Sequence, residues 1–136
     1  MRIEVNELLS FIGEKQQVWW VWVALDSRTR QVVEMVVGDR DEFTARCLWE
    51  SLPVEYRERA IVATDLLPVY QAVVPEDWHV MGGKEMSLTA HIERFFGTLR
   101  QRCARLVRKT LSFSRKMKNH VGVLWYFVRH YNLCRA

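Results

Sequence analysis

Two carboxylates stand apart from the other acids by what surrounds them. Asp65 follows the apolar run of residues 60–63 and one threonine, and ligand-binding groups of open α/β sheets collect where strands end. Glu93 is the one acid among residues 86–136, which hold 11 lysines and arginines, whereas residues 1–85 hold 9 basic and 15 acidic side chains. The overall charge of +4 therefore divides into −6 and +10. Two acids held together and ringed by bases suit a divalent cation, and a two-metal site stabilises both the attacking and the leaving oxygen at a phosphodiester. Structural readings stand beside this one: Asp65 as a cap for the following segment, Glu93 as the partner of a neighbouring arginine. The basic half is equally open, as the footprint of a polyanion whose bound counterions are released on contact, or as a solvated helical surface.

The elements that must position these acids follow from periodicity. Residues 3–12 and 18–25, rich in Val, Ile, Phe and Trp, predict strands joined by a turn at Gly13, Glu14 and Lys15. A second turn at residues 26–29 leads to a strand over 31–37, completing an antiparallel meander. Helix formers and the spacing of Phe43, Cys47 and Leu48 predict a helix over 41–52, stopped by Pro53. Residues 60–63 then read as a buried strand parallel to an earlier one, ending at Thr64 and Asp65. A short helix is expected over 67–74, a strand over 78–81, and a flexible link at Gly82 and Gly83. From Ser87 the period changes: Ile92, Phe95, Phe96, Leu99, Cys103, Leu106 and Val107 form one apolar stripe, with Ser87 or Thr89 as its cap. Glu93 borders that stripe, and Gly97 leaves the space beside it open. A second helix opens near Ser112 or Ser114, with Met117, Val121, Leu124, Val128 and Tyr131 on one face. The order β-β-β-α-β-(α)-β-α-α with mixed pairing predicts an α/β fold of RNase H-like type, a mixed sheet flanked by helices with a basic C-terminal helical segment, as a single domain over residues 1–136.

Composition narrows the function classes. No stretch approaches the roughly 18 uninterrupted apolar residues of a membrane helix, so no membrane partner is expected. The first residues lack a signal-peptide layout, and a cytoplasmic protein is expected. Cys47, Cys103 and Cys134 are dispersed and odd in number, which fits neither a disulfide framework nor a Cys-x-x-Cys zinc site. Trp19, Trp20 and Trp22 share one apolar run and read as sheet packing. His91, two residues before Glu93, fits a helix N-terminal surface better than the site, and His79, His120 and His130 have no metal-ligand spacing. Tyr70, Tyr126 and Tyr131 read as core or phosphate-facing residues, without the constellation of a tyrosine recombinase.

Residues 91–114, HIERFFGTLRQRCARLVRKTLSFS, resemble the C-terminal signature of insertion-sequence-one transposases. Residues 63–70, ATDLLPVY, resemble the second motif of that family, and residues 4–13, EVNELLSFIG, its first. The third motif is long and specific, the second moderately so, and the first weak alone. This resemblance implies an RNase H-like fold on which three acids hold Mg²⁺ or Mn²⁺ for DNA strand cleavage and transfer. By motif, Asp65 matches the second acid and Glu93 the third, with Arg94, Arg100, Arg102, Arg105, Arg108 and Lys109 as phosphate contacts. It implies as partners double-stranded DNA, at element ends and target, and a homodimer or larger synaptic complex in the bacterial cytoplasm, associated with the nucleoid.

Where the family has its first aspartate, this chain has Asn6. An amide oxygen can ligate a metal but brings no charge, and Mg²⁺ depends on hard anionic oxygens. Glu4 shares the strand face of Asn6, roughly 6–7 Å away; Glu7 points to the other face, and Asp26 lies at a hairpin turn. Leu9 stands where the family tends to have Trp, and Phe96 and Gly97 where it tends to have two Asn. The zinc-binding and helix-turn-helix segment that usually precedes the catalytic domain is expected to be absent. Two functions follow: a metal-dependent transposase impaired at Asn6, or a remnant that binds DNA or a partner subunit without cutting. An RNase H-like nuclease with another substrate leaves the long basic signature unexplained.

Overall fold

The computed structural model describes residues 1–11 and 18–109, and beyond them residues 122, 124, 125, 128, 129 and 131–133. Among these, five strands form one mixed sheet in the order β3-β2-β1-β4-β5. Strands β1 (Arg2–Phe11), β2 (Val18–Asp26) and β3 (Val32–Gly38) make the expected antiparallel meander. β4 (Ile61–Thr64) pairs in parallel with β1, and β5 (His79–Met81) in parallel with β4. The predicted turn at Gly13 lies outside the described residues.

Helices cover both faces of the sheet, and the pleat of β1 and β2 sorts side chains between two cores. Residues 21–25 of β2 are wholly buried, on one face and the other in turn, which is why that segment reads as an unbroken apolar run. Val21, Val23, Leu25 and Leu8 pack with Ile92, Phe95, Phe96 and Leu99 of α4 (Ala90–Lys109). Ile3, Val5, Trp22 and Ala24 pack on the opposite side with Ala45 and Leu48 of α1 (Glu42–Ser51) and Tyr70 and Val73 of α3 (Pro68–Val73). Trp22 lies edge-on to Tyr70 at 5.7 Å and donates its indole N–H to Asp39 O, so it is sheet packing, as its run suggested.

Several local expectations are corrected. A helix α2 (Val54–Arg59) follows Pro53 directly; proline ends one helix by lacking an N–H and opens the next with its fixed φ. Phe43 is 76% exposed while Thr44, Ala45 and Leu48 carry the buried face of α1. The Asp41 side chain accepts from Thr44 N at 2.9 Å, starting the helix at Glu42, and this turns the apolar face one residue away from Phe43. Gly82 is a place of close approach and not a slack link: a Cβ there would meet Met86 Sδ at 2.6 Å and Leu88 Cδ1 at 2.8 Å.

The described residues beyond 121 are helical, with Leu124, Val128 and Tyr131 buried in the α4-side core, as their spacing predicted; Met117 and Val121 lie outside the described residues. Asn132 fastens this segment to the sheet edge. Its Oδ1 accepts from Val32 N at 2.7 Å and its Nδ2 donates to Val32 O at 3.0 Å, so the amide stands in for a neighbouring strand. Asn132→Ala removes both bonds and is expected to cost about 1–3 kcal/mol, read from denaturant midpoints, with faster hydrogen exchange at the Val32 amide. An unchanged midpoint would mean that the amide does not fasten the edge.

Candidate functional site

The parallel pairing of β1 with β4 runs through Ile3 with Val62 and Glu4 with Ala63. Asn6 and Asp65 each lie two residues past that last pair, Asn6 still within β1 and Asp65 one residue beyond the end of β4. Neither group is idle. Asn6 Oδ1 accepts from Glu7 N at 2.9 Å, and Asp65 Oδ1 accepts from Leu67 N at 3.0 Å, fixing the turn into α3. Asp65 thus shapes the turn that leads into the following segment, and the residue is half-exposed at the strand end.

Glu4 ties the first turn of α4, which carries Glu93, to β1. The Glu4 side chain is 1% exposed, on the same face of β1 as Asn6. Its Oε1 accepts from His91 N at 2.9 Å and Ile92 N at 3.2 Å, and its Oε2 from Ser27 Oγ at 2.8 Å. A buried carboxylate here satisfies amides that the first turn of a helix leaves unpaired, where the helix dipole favours negative charge. The cap expected from Ser87 or Thr89 is thus supplied by β1; Ser87 has φ 52 and precedes the helix by three residues. Arg2 Nη2 adds a bond to Leu88 O at 2.8 Å. Glu93, the next residue after Ile92, is exposed, which corrects its expected place beside the apolar stripe; it accepts a 3.4 Å bond from the Thr89 hydroxyl. Nothing within 4 Å would meet a Cβ at Gly97, so the space beside Glu93 is open as expected. Phe96 is buried against Phe95.

The acids weighed as replacements for an aspartate at position 6 are committed elsewhere. Glu4 holds α4. Glu7 lies on the other face of β1, where it accepts from the Tyr70 hydroxyl and, at 3.3 Å, from Arg40, itself stacked over Trp20. Burial pushes the Glu7 carboxyl above its usual range, with Asp65 adding to the rise against the bonds from Tyr70 and Arg40. Burial and Glu7 hold the Tyr70 hydroxyl well above its usual value. Asp26 accepts from Arg28 N and Thr29 N in the hairpin and from Tyr56, whose hydroxyl burial and Asp26 push up to about 12. Among the described residues no three His, Cys, Asp or Glu side chains gather closely enough to hold a metal ion. Asp65 is half-exposed and Glu93 exposed, both hard anionic donors of the kind Mg²⁺ takes, whereas Asn6 brings a neutral amide.

Of the proposed phosphate contacts, Arg94 and Arg100 are exposed on α4. Arg102, Arg105, Arg108 and Lys109 follow on the same helix, their side chains outside what the structure describes. His91 is half-buried, with its Nδ1 buried and without a hydrogen-bond partner, which corrects its expected surface position. His79 has a partner that its spacing did not reveal: its Nε2 lies 2.6 Å from Thr64 Oγ1. The only signal for that pair was the adjacency of β4 and β5, which no local pattern carries. His120, His130 and Tyr126 lie outside the described residues.

The family model described as IS1 transposase matches residues 1–133. The InsB protein of insertion element iso-IS1n from Shigella dysenteriae is 35% identical over 126 residues, 92% of each chain. InsB of IS1 from Shigella sonnei is 34% identical over 131 residues, 94% of this chain and 95% of that one. InsB of IS1 9 from Escherichia coli K12 is 34% identical over 131 residues, with 94% of this chain and 75% of that one covered. A chain from the cryo-EM structure of a simian T-cell lymphotropic virus intasome in complex with PP2A regulatory subunit B56 gamma superposes with a TM-score of 0.67 at 13% identity. The match covers 90% of this chain but 46% of that one, and the likeness is one of fold. The mixed sheet with flanking helices is thus the RNase H-like fold that the order of elements predicted. Among the described residues no helix is long and apolar enough to cross a membrane.

The Glu7 environment has a consequence for pH. A carboxyl whose folded pKa is raised contributes stability that is complete below its unfolded value, near 4.5, and is lost as pH rises through the folded value. The melting temperature of Glu7→Gln relative to the native chain should therefore climb as pH is raised from 4.5. Parallel pH profiles for the two proteins would contradict the burial of an ionisable group there.

Proposed function

The chain belongs to the IS1 transposase family, and we propose that it is a DNA-binding transposase domain, residues 1–136, whose metal-dependent strand cleavage is disabled at Asn6. The observation that carries this reading is the state of the β1 corner. Asn6 and Asp65 each follow the last β1–β4 pair by two residues, the Asn6 amide oxygen is occupied by Glu7 N, and Glu4, Glu7 and Asp26 are spent on α4, on Tyr70 and on a hairpin. In family chemistry Mg²⁺ or Mn²⁺ activates the attacking oxygen and offsets charge on the phosphodiester. Asp65 and Glu93 are the two anionic ligands left for it, and Asn6 is the neutral third. Double-stranded DNA is held by Arg94, Arg100, Arg102, Arg105, Arg108 and Lys109, which position the phosphates without reading sequence. The functional unit is a homodimer or larger synaptic assembly, as joining two element ends to a target requires.

Asn6→Asp restores a third charge without changing side-chain size. Nicking of supercoiled plasmid in Mg²⁺ or Mn²⁺ should rise by about 100-fold or more, since even groups that only support a metal ligand act on a scale of 10–100-fold. Glu93→Gln added to that variant should abolish the gain. Equal nicking by the native chain and by Asn6→Asp would overturn the disabled-site reading.

DNA affinity of the native chain should fall steeply with salt. If all six bases meet phosphates, the log–log slope is roughly −5. A flat slope would remove the basic half from the DNA interface.

A further inference from the structure

Thr64 is fully buried at the last position of β4, immediately before Asp65. Its hydroxyl donates to Asp65 O at 2.9 Å, and the same oxygen lies 2.6 Å from His79 Nε2. A threonine hydroxyl has one proton. Because that proton is given to Asp65, His79 must donate from Nε2, which fixes its tautomer. Burial lowers the His79 pKa and favours the neutral ring that this tautomer requires. The chain of bonds runs His79 Nε2–H to Thr64 Oγ, Thr64 O–H to Asp65 O, and Leu67 N–H to Asp65 Oδ1. Gly82 N closes the other side by donating to Thr64 O at 3.3 Å. Strand β5 thereby grips the backbone from which the Asp65 carboxylate projects.

We infer that Thr64 and His79 are positioning residues for Asp65, setting its carboxylate for a divalent cation through its own main chain. The inference rests on the proposed role of Asp65 as a metal ligand. Partners of this kind orient ligating groups, and their loss typically costs 10–100-fold in metal affinity. Thr64→Val keeps the β-branched shape inside the strand and removes only the hydroxyl. Thr64→Ser restores it. His79 lines a cavity of about 450 Å³ with Gln71, Val74, Glu76 and Met81, so His79→Ala removes its bond beside open space and does not unpack the core.

The experiment has two arms. In the native chain without metal, Thr64→Val should speed hydrogen exchange at the Leu67 amide by roughly 3–10-fold, the scale of one net hydrogen bond, while the Val23 amide in the sheet centre stays unchanged. His79→Ala should do the same more weakly, and Thr64→Ser should leave Leu67 at its native rate. Unchanged exchange at Leu67, or an equal rise at Val23, overturns the inference. In the Asn6→Asp chain, Mn²⁺ affinity should fall by roughly 10–100-fold with Thr64→Val and be largely kept with Thr64→Ser. Equal affinity in all three overturns it as well. If Asn6→Asp itself binds no Mn²⁺, the metal-site reading fails, and the exchange arm still decides whether Thr64 holds the Asp65 turn.

Discussion

A carboxylate taken out of water needs its charge answered, and Glu4 has it answered by the first turn of α4. Taking an ion out of water costs several kcal/mol unless hydrogen bonds replace the lost solvent. Here two helix amides and the Ser27 hydroxyl do so. The bond is also a geometric statement. It joins the central strand to the helix that carries the basic segment, at a point two residues before Asn6 and one before Glu93. The stretch of β1 before Asn6 and the helix turn that carries Glu93 share one anchor, so any movement of α4 along the sheet must first uncover a buried charge.

From that anchor the pleat of β1 assigns every other acid. Successive side chains alternate faces, so Glu4 and Asn6 look toward α4 while Glu7 looks toward Tyr70. A shift of one residue would turn Glu7 toward α4 and leave Asn6 against an aromatic hydroxyl. The register with β2, from Ile3 with Asp26 through Phe11 with Val18, forbids that slip. The acids on either side of Asn6 therefore keep partners of their own. Around Asn6 stand the strand pairing, the helix anchor, the Asp65 turn and the open space beside Gly97.

How much of this was legible in the sequence depended on the range of the interaction. The meander, the buried β4, the short helix after Pro68 and the stripe from Ile92 to Leu99 follow from periodicity and turn residues within a few positions. The acids Asp65 and Glu93 stood out through context, one by a strand end and one by the charge around it. What escaped was either a choice among equivalent local options or a contact across the fold. Phe43 had the spacing of a core residue and lost its place because Asp41 set the helix phase. Glu4 looked like a spare ligand, and its true partners are 87 and 88 residues away. The Thr64–His79 bond needed β5 laid beside β4, and nothing within either segment encodes that adjacency.

The latch at Asn132 bears on the order in which the molecule is made. Its partner, Val32, is 100 residues earlier, so a ribosome has finished the whole sheet before the amide that covers that end of β3 is translated. Throughout that interval the Val32 end of the edge strand offers unpaired backbone groups, a surface from which strands of two nascent chains join. Chains translated side by side on one message are thus exposed to mispairing at Val32 until Asn132 arrives, and the speed of translating the stretch between them becomes a determinant of yield.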